Sequence, residues 1–176
     1  VHRKSKISTS WSPNLAYAIG LIATDGNLSK DGRHIDLTSK DTEQLNNFLK
    51  CLNVSVKIGS KTSGFSDRRY YRVQVGDINF YEFLVDIGLK PNKSKTLSSL
   101  KIPTECFADF LRCCIDGDGS IGFYNHPESK HPQLRIRLCS ASMSFLEWAK
   151  SEIKRIFNIE GGWIAKMNTR IPVLSY

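Results

Sequence analysis

Two segments of the sequence end in the same pair of residues, an aspartate followed by a glycine. The first runs Ala-Ile-Gly-Leu-Ile-Ala-Thr and closes with Asp25-Gly26, and the second runs Leu-Arg-Cys-Cys-Ile-Asp-Gly and closes with Asp118-Gly119. Carboxylate oxygens are the ligands that hard divalent cations such as Mg²⁺ prefer in proteins. A pair of such acids in a basic protein therefore predicts a metal site that serves phosphodiester chemistry.

Each acid follows an apolar segment in which small residues are spaced four apart, Ala16 with Gly20 and Cys113 with Gly117. Residues at that spacing lie on one face of an α-helix, and small side chains on that face let two helices pack closely. We expect two such helices to lie side by side and to bring both aspartates together at their C-terminal ends. A single Asp-Gly pair is a common turn, so this interpretation depends on finding two copies in matching contexts.

The similarity between the copies continues past the acids. In both, alternating apolar and polar residues give way to helical periodicity, and Asp41 and Ser142 stand at matching positions as helix N-caps. The sequence is therefore predicted to be an internal duplication with a period of about 95–100 residues. Such a period is too long for a solenoid repeat and favours two half-domains.

The residue pattern predicts an α+β fold in which each copy has the order αββαββα. In the first copy we expect a helix start at Ser12-Pro13, with helices at 14–24, 42–52 and 78–87. A hairpin follows the first helix, with its second strand at 33–39, and two further strands lie at 54–59 and 70–75. In the second copy we expect helices at 106–116 and 143–157 and strands at 120–125, 133–139 and 162–168, with 171–176 beginning a fourth strand.

The organisation predicted from this pattern has four parts: a basic tail at 1–12, a first half-domain at 13–88, a linker at 89–104 and a second half-domain at 105–176. Nothing after the fourth strand matches the helix at 78–87. The second copy is therefore expected to be cut short at its C-terminus.

Composition narrows the functional classes. The formal net charge is +8 and the isoelectric point is near 9.3, which favours a polyanionic partner. No apolar run is long enough for a membrane span. The five cysteines form an odd number and contain no CxxC pair, so we expect a reducing, intracellular location rather than a disulfide framework. The sequence does not distinguish cytoplasm or nucleoid from an organelle matrix.

Two strands carry polar and basic residues opposite their apolar faces. Because arginine pairs with guanine and glutamine with adenine in the major groove, these faces are predicted to read DNA. The residues that alternate with the core positions are Tyr70, Arg72 and Gln74 in the first copy and Gln133, Arg135 and Arg137 in the second. Further candidate DNA contacts are Arg33, Lys57, Ser120, Tyr124 and Lys166.

Both motifs and their flanks resemble the LAGLIDADG homing endonucleases in their single-chain, two-motif form. The resemblance spans roughly residues 12–168, including the linker segment Gly-Leu-Lys-Pro-Asn-Lys-Ser that begins at Gly88. It implies two antiparallel four-stranded sheets that form a saddle over double-stranded DNA, with the motif helices at the centre. Two positions depart from the family pattern: Cys113 replaces an interface glycine, and Ala23 replaces the first motif acid.

The resemblance also implies roles for individual residues. Asp25 and Asp118 would coordinate the metal together with the backbone carbonyls of Thr24 and Gly117, and Lys40 would stabilise charge on the phosphate. The implied cofactor is Mg²⁺, with Mn²⁺ as a substitute and Ca²⁺ supporting binding without cleavage. The implied activity is cleavage of both strands of a pseudo-palindromic target of roughly 20 base pairs by a monomer, leaving 3′ overhangs.

Two alternatives on the same fold remain open from the sequence. One is an RNA-splicing maturase, and the other is a DNA-binding regulator that has lost the chemistry. Loss of one or both of the final motif acids would favour the regulator, and both of these, Asp25 and Asp118, are present. The sequence does not say whether its gene lies in an intron, lies in an intein or stands alone, and it does not reveal the DNA target.

Overall fold

A computed structural model of the chain describes residues 6–63, 66–125, 127–166 and 171–176. The fold is α+β, with five helices and two four-stranded antiparallel sheets in the described residues. This confirms the predicted fold class. None of the described helices is long and apolar enough to cross a membrane.

The first half of the chain forms one sheet and three helices. Its elements are α1 (Pro13–Thr24), β1 (Gly26–Leu28), β2 (His34–Ser39), α2 (Thr42–Cys51), β3 (Gly59–Ser63), β4 (Ser66–Gly76) and α3 (Ile78–Asp86). The strands lie in the order β1-β2-β4-β3, which we call sheet A. Two short 3₁₀ turns follow in the linker, at Lys93–Lys95 and Thr104–Cys106.

The second half repeats this arrangement. Its elements are α4 (Phe107–Asp118), β5 (Gly119–Tyr124), β6 (Gln133–Cys139), α5 (Met143–Phe157), β7 (Trp163–Lys166) and β8 (Pro172–Ser175). The strands lie in the order β5-β6-β8-β7, called sheet B, which matches sheet A strand for strand. The described residues contain no helix after β8, so α3 has no counterpart there.

The ends of the helices follow from their capping residues. The Ser12 side chain accepts a hydrogen bond from the Leu15 amide at the start of α1, and Pro13 occupies the first helical position. Asp41 caps α2 by accepting from the Glu43 amide. Ser142 precedes α5 as predicted, but its side chain makes no capping bond and donates instead to the buried Leu97 carbonyl. The linker thereby gains a hydrogen-bonded contact with the second half.

Two of the predicted boundaries were wrong. The alternating segment from Val54 to Ile58 is not a strand, and β3 begins only at Gly59. Its apolar side chains pack against the core from an irregular segment, so alternate burial arises there without a sheet. Helix α4 continues through Gly117 to Asp118, two residues beyond the predicted end at 116, because the Gly119 amide still donates to the Ile115 carbonyl.

The N-terminal segment contacts the first half. Ile7 is buried, and the amides of Lys6 and Ile7 both donate to the Asp77 carboxylate. Asp77 also caps α3 through the Phe80 amide. One buried acid therefore joins the start of the described chain to the last helix of the first half.

The two halves differ in how well their cores are covered. Leu28 in β1 is 1% exposed, whereas Ile121, which occupies the matching place in β5, is 62% exposed. Phe123 and Leu134 on the same face of sheet B are also exposed. In the first half α3 covers this face, and its Tyr81 hydroxyl donates to the Ser29 carbonyl.

Candidate active site and nucleic-acid surface

The site begins with the contact between α1 and α4, which pack side by side. A Cβ at Gly20 would lie 2.7 Å from the Cβ of Cys113 and 2.8 Å from the Phe110 carbonyl oxygen, so only glycine fits there. A Cβ at Gly117 would lie 2.6 Å from the Thr24 hydroxyl and 3.0 Å from an Asp25 carboxylate oxygen. The small residues identified in the sequence therefore set the distance between the helices, as predicted.

The two motif acids lie at the C-terminal ends of these helices. Asp25 is the C-cap of α1, and Asp118 is the last residue of α4. The Asp25 carboxylate packs against the final turn of α4 at Gly117, so the structure brings both acids to one place. Thr24 turns its hydroxyl back to donate to the Gly20 and Leu21 carbonyls.

The surroundings of both acids disfavour their charged forms. The side chains are exposed, but the packed helices remove part of their hydration. This desolvation raises the pKa of Asp118, and the neighbouring Asp25 charge raises it further, against a smaller lowering by Lys93. Desolvation likewise raises the pKa of Asp25, while Lys93 and a hydrogen bond from Thr24 act in the opposite direction. Two carboxylates that repel each other at one place suit a bound cation.

A buried lysine from the linker completes this group. Lys93 is only 4% exposed, and its ammonium donates to the Gly26 carbonyl over 2.5 Å. Burial lowers the pKa of Lys93 to about 8, although the charges of Asp118 and Asp25 both act to raise it. Sequence reasoning missed this residue, because it is one of four lysines in a polar linker. The available signal was the linker segment that begins at Gly88, in which Lys93 follows the turn-forming Pro91-Asn92. In the structure Asn92 is left-handed, with φ 57°.

The lysine singled out in the sequence has a different environment. Lys40 is exposed, and its ammonium lies 5.4 Å from the centre of the Tyr70 ring. No described contact joins it to either acid, whereas the charges of both acids act on the ammonium of Lys93. The catalytic role of Lys40 stays a prediction.

The outer face of sheet A carries the predicted polar residues. Val73 and Val75 are buried in the core, and Arg72 and Gln74 alternate with them on the opposite face. Arg72 donates through Nε and Nη2 to Oδ1 of Asp36, over 2.9 Å and 2.5 Å. Sequence reasoning missed Asp36, since its pairing depends on strand register and not on spacing along the chain.

The outer face of sheet B is built differently. Strand register places Ser120 opposite Arg137 and Tyr124 opposite Gln133. The guanidinium carbons of Arg137 and Arg135 lie 4.4 Å and 5.6 Å from the centre of the Tyr124 ring. These contacts hold both arginines over an aromatic ring by cation–π attraction.

The remaining predicted contacts lie outside these clusters. Arg33 is exposed in the turn before β2, and Lys57 is exposed in the irregular segment before β3. Lys166 ends β7, but its side chain lies outside the described residues.

The donor set at the paired acids fits a divalent cation of the magnesium type. Within the described residues no cluster of three or more His, Cys, Asp or Glu side chains could hold a metal. Mg²⁺, however, commonly binds through one or two carboxylates and completes its shell with water and substrate phosphate. Asp25 and Asp118 supply that number of carboxylates, and the ends of α1 and α4 leave nearby carbonyls, including those of Thr24 and Gly117, without helical partners.

Comparison with known proteins supports the resemblance inferred from the sequence. Residues 12–88 match the family model described as LAGLIDADG-like domain. No curated protein matches the chain in sequence. The resemblance to the LAGLIDADG family is therefore confirmed in sequence for the first half of the chain.

Solved structures share the fold at low sequence identity. I-DmoI in complex with DNA and Ca superposes with a TM-score of 0.59 at 18% identity, over 93% of this chain and 82% of that one. I-WcaI bound to its DNA recognition sequence gives 0.63 at 13% identity, over 96% and 77%. Full-length DUF199/WhiA from Thermatoga maritima gives a TM-score of 0.58 at 18% identity. The match covers 96% of this chain but only 52% of that protein, so this chain spans about half of its length.

Proposed function

Because the chain carries the LAGLIDADG fold, we propose that it is a site-specific homing endonuclease that hydrolyses both strands of double-stranded DNA with a divalent cation. The observation that carries this proposal is the meeting of Asp25 and Asp118 at the ends of α1 and α4, with the buried ammonium of Lys93 beside them. Solved structures of I-DmoI contain DNA with Ca or Mn, which supports a divalent cation in this chain also. We propose Mg²⁺ as the natural ion, with Mn²⁺ as a substitute.

The residues of the site have separate tasks. Asp25 and Asp118 would hold the cation, aided by the carbonyls of Thr24 and Gly117. When bound, the cation would supply Lewis-acid polarisation of the scissile phosphate. The ammonium of Lys93 places a fixed positive charge beside both acids, where negative charge develops on the phosphate. Lys40 would add positive charge near only one of the two scissile phosphates.

The two sheets would contact the DNA on either side of the acids. Sheet A offers Tyr70, Arg72 and Gln74, and sheet B offers Gln133, Arg135 and Arg137, with Arg33, Lys57, Ser120, Tyr124 and Lys166 as outer contacts. Since each half would follow about one helical turn, the target should be roughly 20 base pairs long and pseudo-palindromic. As the family resemblance implies, cleavage by a monomer at the centre would leave 3′ overhangs. The five free cysteines fit work in a reducing compartment inside the cell.

Asparagine substitution at the motif acids tests the proposal. A randomised duplex library incubated with the protein and Mg²⁺, followed by sequencing of cut ends, should yield a cleaved sequence. Asp25→Asn and Asp118→Asn should each abolish double-strand cleavage of that sequence, because each removes a charged ligand. Binding measured in Ca²⁺ should persist, since the sheet faces are unchanged.

Asp116→Asn is the matched control. Asp116 is exposed on α4, the helix that ends at Asp118, and its substitution removes the same charge. Its described contact is with the Tyr17 hydroxyl at 3.5 Å. This variant should cut like the parent. Full double-strand cutting by Asp118→Asn would refute the metal assignment. A parent protein that binds RNA or DNA but never cuts would instead favour the maturase or the inactive regulator.

A further inference from the structure

One acid lies within the basic outer face of sheet A. Asp36 stands on β2 between Asn27 of β1 and Gln74 of β4, its partners in strand register. Its side chain is 13% exposed, while that of its partner Arg72 is 40% exposed. Arg72 therefore reaches outward from the sheet, and Asp36 lies beneath it. An acid on a surface that would face DNA phosphates weakens DNA binding by charge repulsion. Its presence there suggests that Asp36 has another role in recognition.

The carboxylate of Asp36 is held on both oxygens. Its Oδ1 accepts from Nε and Nη2 of Arg72, and its Oδ2 accepts from the Ser29 hydroxyl over 3.3 Å. With both oxygens engaged and little surface exposed, Asp36 is poorly placed to contact a base itself. Its bonds instead fix the plane and direction of the guanidinium.

The donors that Asp36 leaves free determine what Arg72 can recognise. Nε and one N–H of Nη2 are used, which leaves Nη1 and the other N–H of Nη2 at the outer end of the guanidinium. Two parallel N–H donors at that end match the O6 and N7 acceptors that guanine presents in the major groove. The pair is also electrically neutral overall, so it contributes little as a phosphate contact.

The arginines of sheet B provide a contrast. Arg135 and Arg137 lie over the Tyr124 ring, and no carboxylate among the described residues forms an ion pair with them. They keep their full charge and can serve phosphates as well as bases. The two halves of the protein thus present arginine in different ways.

We propose that Asp36 is a positioning residue that orients Arg72 to read a single guanine in the half-site bound by sheet A. This proposal rests on the proposed function, because it requires the outer face of sheet A to contact duplex DNA. An ordinary surface ion pair would contribute at most a modest stabilisation and no base preference.

Base preference at single positions tests the proposal. The probe is a randomised duplex library. The library is selected by binding in Ca²⁺ to each of four proteins, the parent, Asp36→Asn, Arg72→Ala and the double variant, and the bound sequences are read. The parent should select guanine at one position of one half-site. Asp36→Asn should lower that preference roughly tenfold and leave the other positions unchanged. Arg72→Ala should reduce the guanine preference at the same position. The double variant should lose no more of that preference than Arg72→Ala does, because the two residues act as one unit.

Asp86→Asn is the matched control. Asp86 is an exposed acid at the end of α3 that pairs with Lys101 at 3.4 Å, so this variant loses the same charge and also breaks an ion pair. It should select the parent sequence. Circular dichroism melts confirm that each variant is folded before selection.

Three outcomes would overturn the proposal. In the first, Asp36→Asn keeps the guanine preference. In the second, Arg72→Ala weakens all sequences alike, which would make Arg72 a phosphate contact. In the third, the parent selects no sequence at all, which would refute the proposed function as well; the first two would leave that function standing.

Discussion

Lys93 combines burial and charge in a way that few lysines do. Removal from water disfavours its ammonium, and the Gly26 carbonyl and two nearby carboxylates offset only part of that cost. With a pKa of about 8, the side chain is mostly protonated at neutral pH. A cation kept at such a cost beside two acids is typical of a functional site.

The two candidate lysines should differ in their effects on the two DNA strands. Lys93 lies beside both acids, so Lys93→Met should slow cleavage of both strands by roughly 10²–10³-fold, the loss typical when one preorganised donor is removed from a reacting centre. Lys40 has only Ala141 as its counterpart in the second half, so Lys40→Ala should slow one strand more than the other. A time course with the strands labelled differently measures both rates.

Lys95→Met is the control for this comparison. Lys95 is an exposed lysine of the same 3₁₀ turn, and its loss changes the net charge equally. It should cut both strands at the parent rate. If Lys93→Met behaves like Lys95→Met, the buried ammonium serves only the fold.

At the scale of elements, α1 and α4 depend on glycine at their contact. Gly117→Ala should force the helices apart, because its Cβ would lie 2.6 Å from the Thr24 hydroxyl. We expect a loss of about 1–3 kcal/mol in the free energy of unfolding. Cleavage should fall further than stability explains, since Asp25 lies 3.0 Å from the same Cβ position. Chemical denaturation and cleavage assays on the same preparation separate the two effects.

Gly59→Ala is a suitable comparison for this variant. Among the described residues, a Cβ at Gly59 would meet the Arg72 carbonyl oxygen at 3.7 Å, which is an ordinary contact. That variant should keep both stability and cleavage near the parent values. Equal losses in the two variants would show that the close approach of α1 and α4 is not what positions the acids.

Much of the secondary structure could be predicted from the sequence. The duplicated motifs, the caps at Ser12 and Asp41 and the alternating faces of β2, β4 and β6 were predictable, because they depend on spacing and local hydrogen bonding. The strand predicted at 54–59 was wrong, because apolar residues also alternate where an irregular segment packs on a core. Lys93 and Asp36 could not be found, since their environments come from contacts across 67 and 36 residues of sequence.

Across the whole molecule, the two halves should differ in local stability. In the first half Ile35 of β2 is fully buried, whereas its counterpart Ile136 of β6 is only partly buried and neighbours the exposed Ile121. Fewer covering contacts lower the free energy of local opening. Amide hydrogen exchange measured by mass spectrometry should therefore be faster in peptides from β6 than in those from β2. Equal protection of these matching strands would contradict this expectation.

The contact between the halves has a consequence for how such a protein can change over evolutionary time. Among the described elements, the halves meet mainly through α1 and α4, while the outer faces of sheets A and B lie on separate strands. A substitution on one outer face therefore leaves the helix contact, the acids and the other face in place. Under the proposed function, a lineage could therefore alter its recognition of one half-site while the other half still binds DNA, so new targets would become accessible one half at a time.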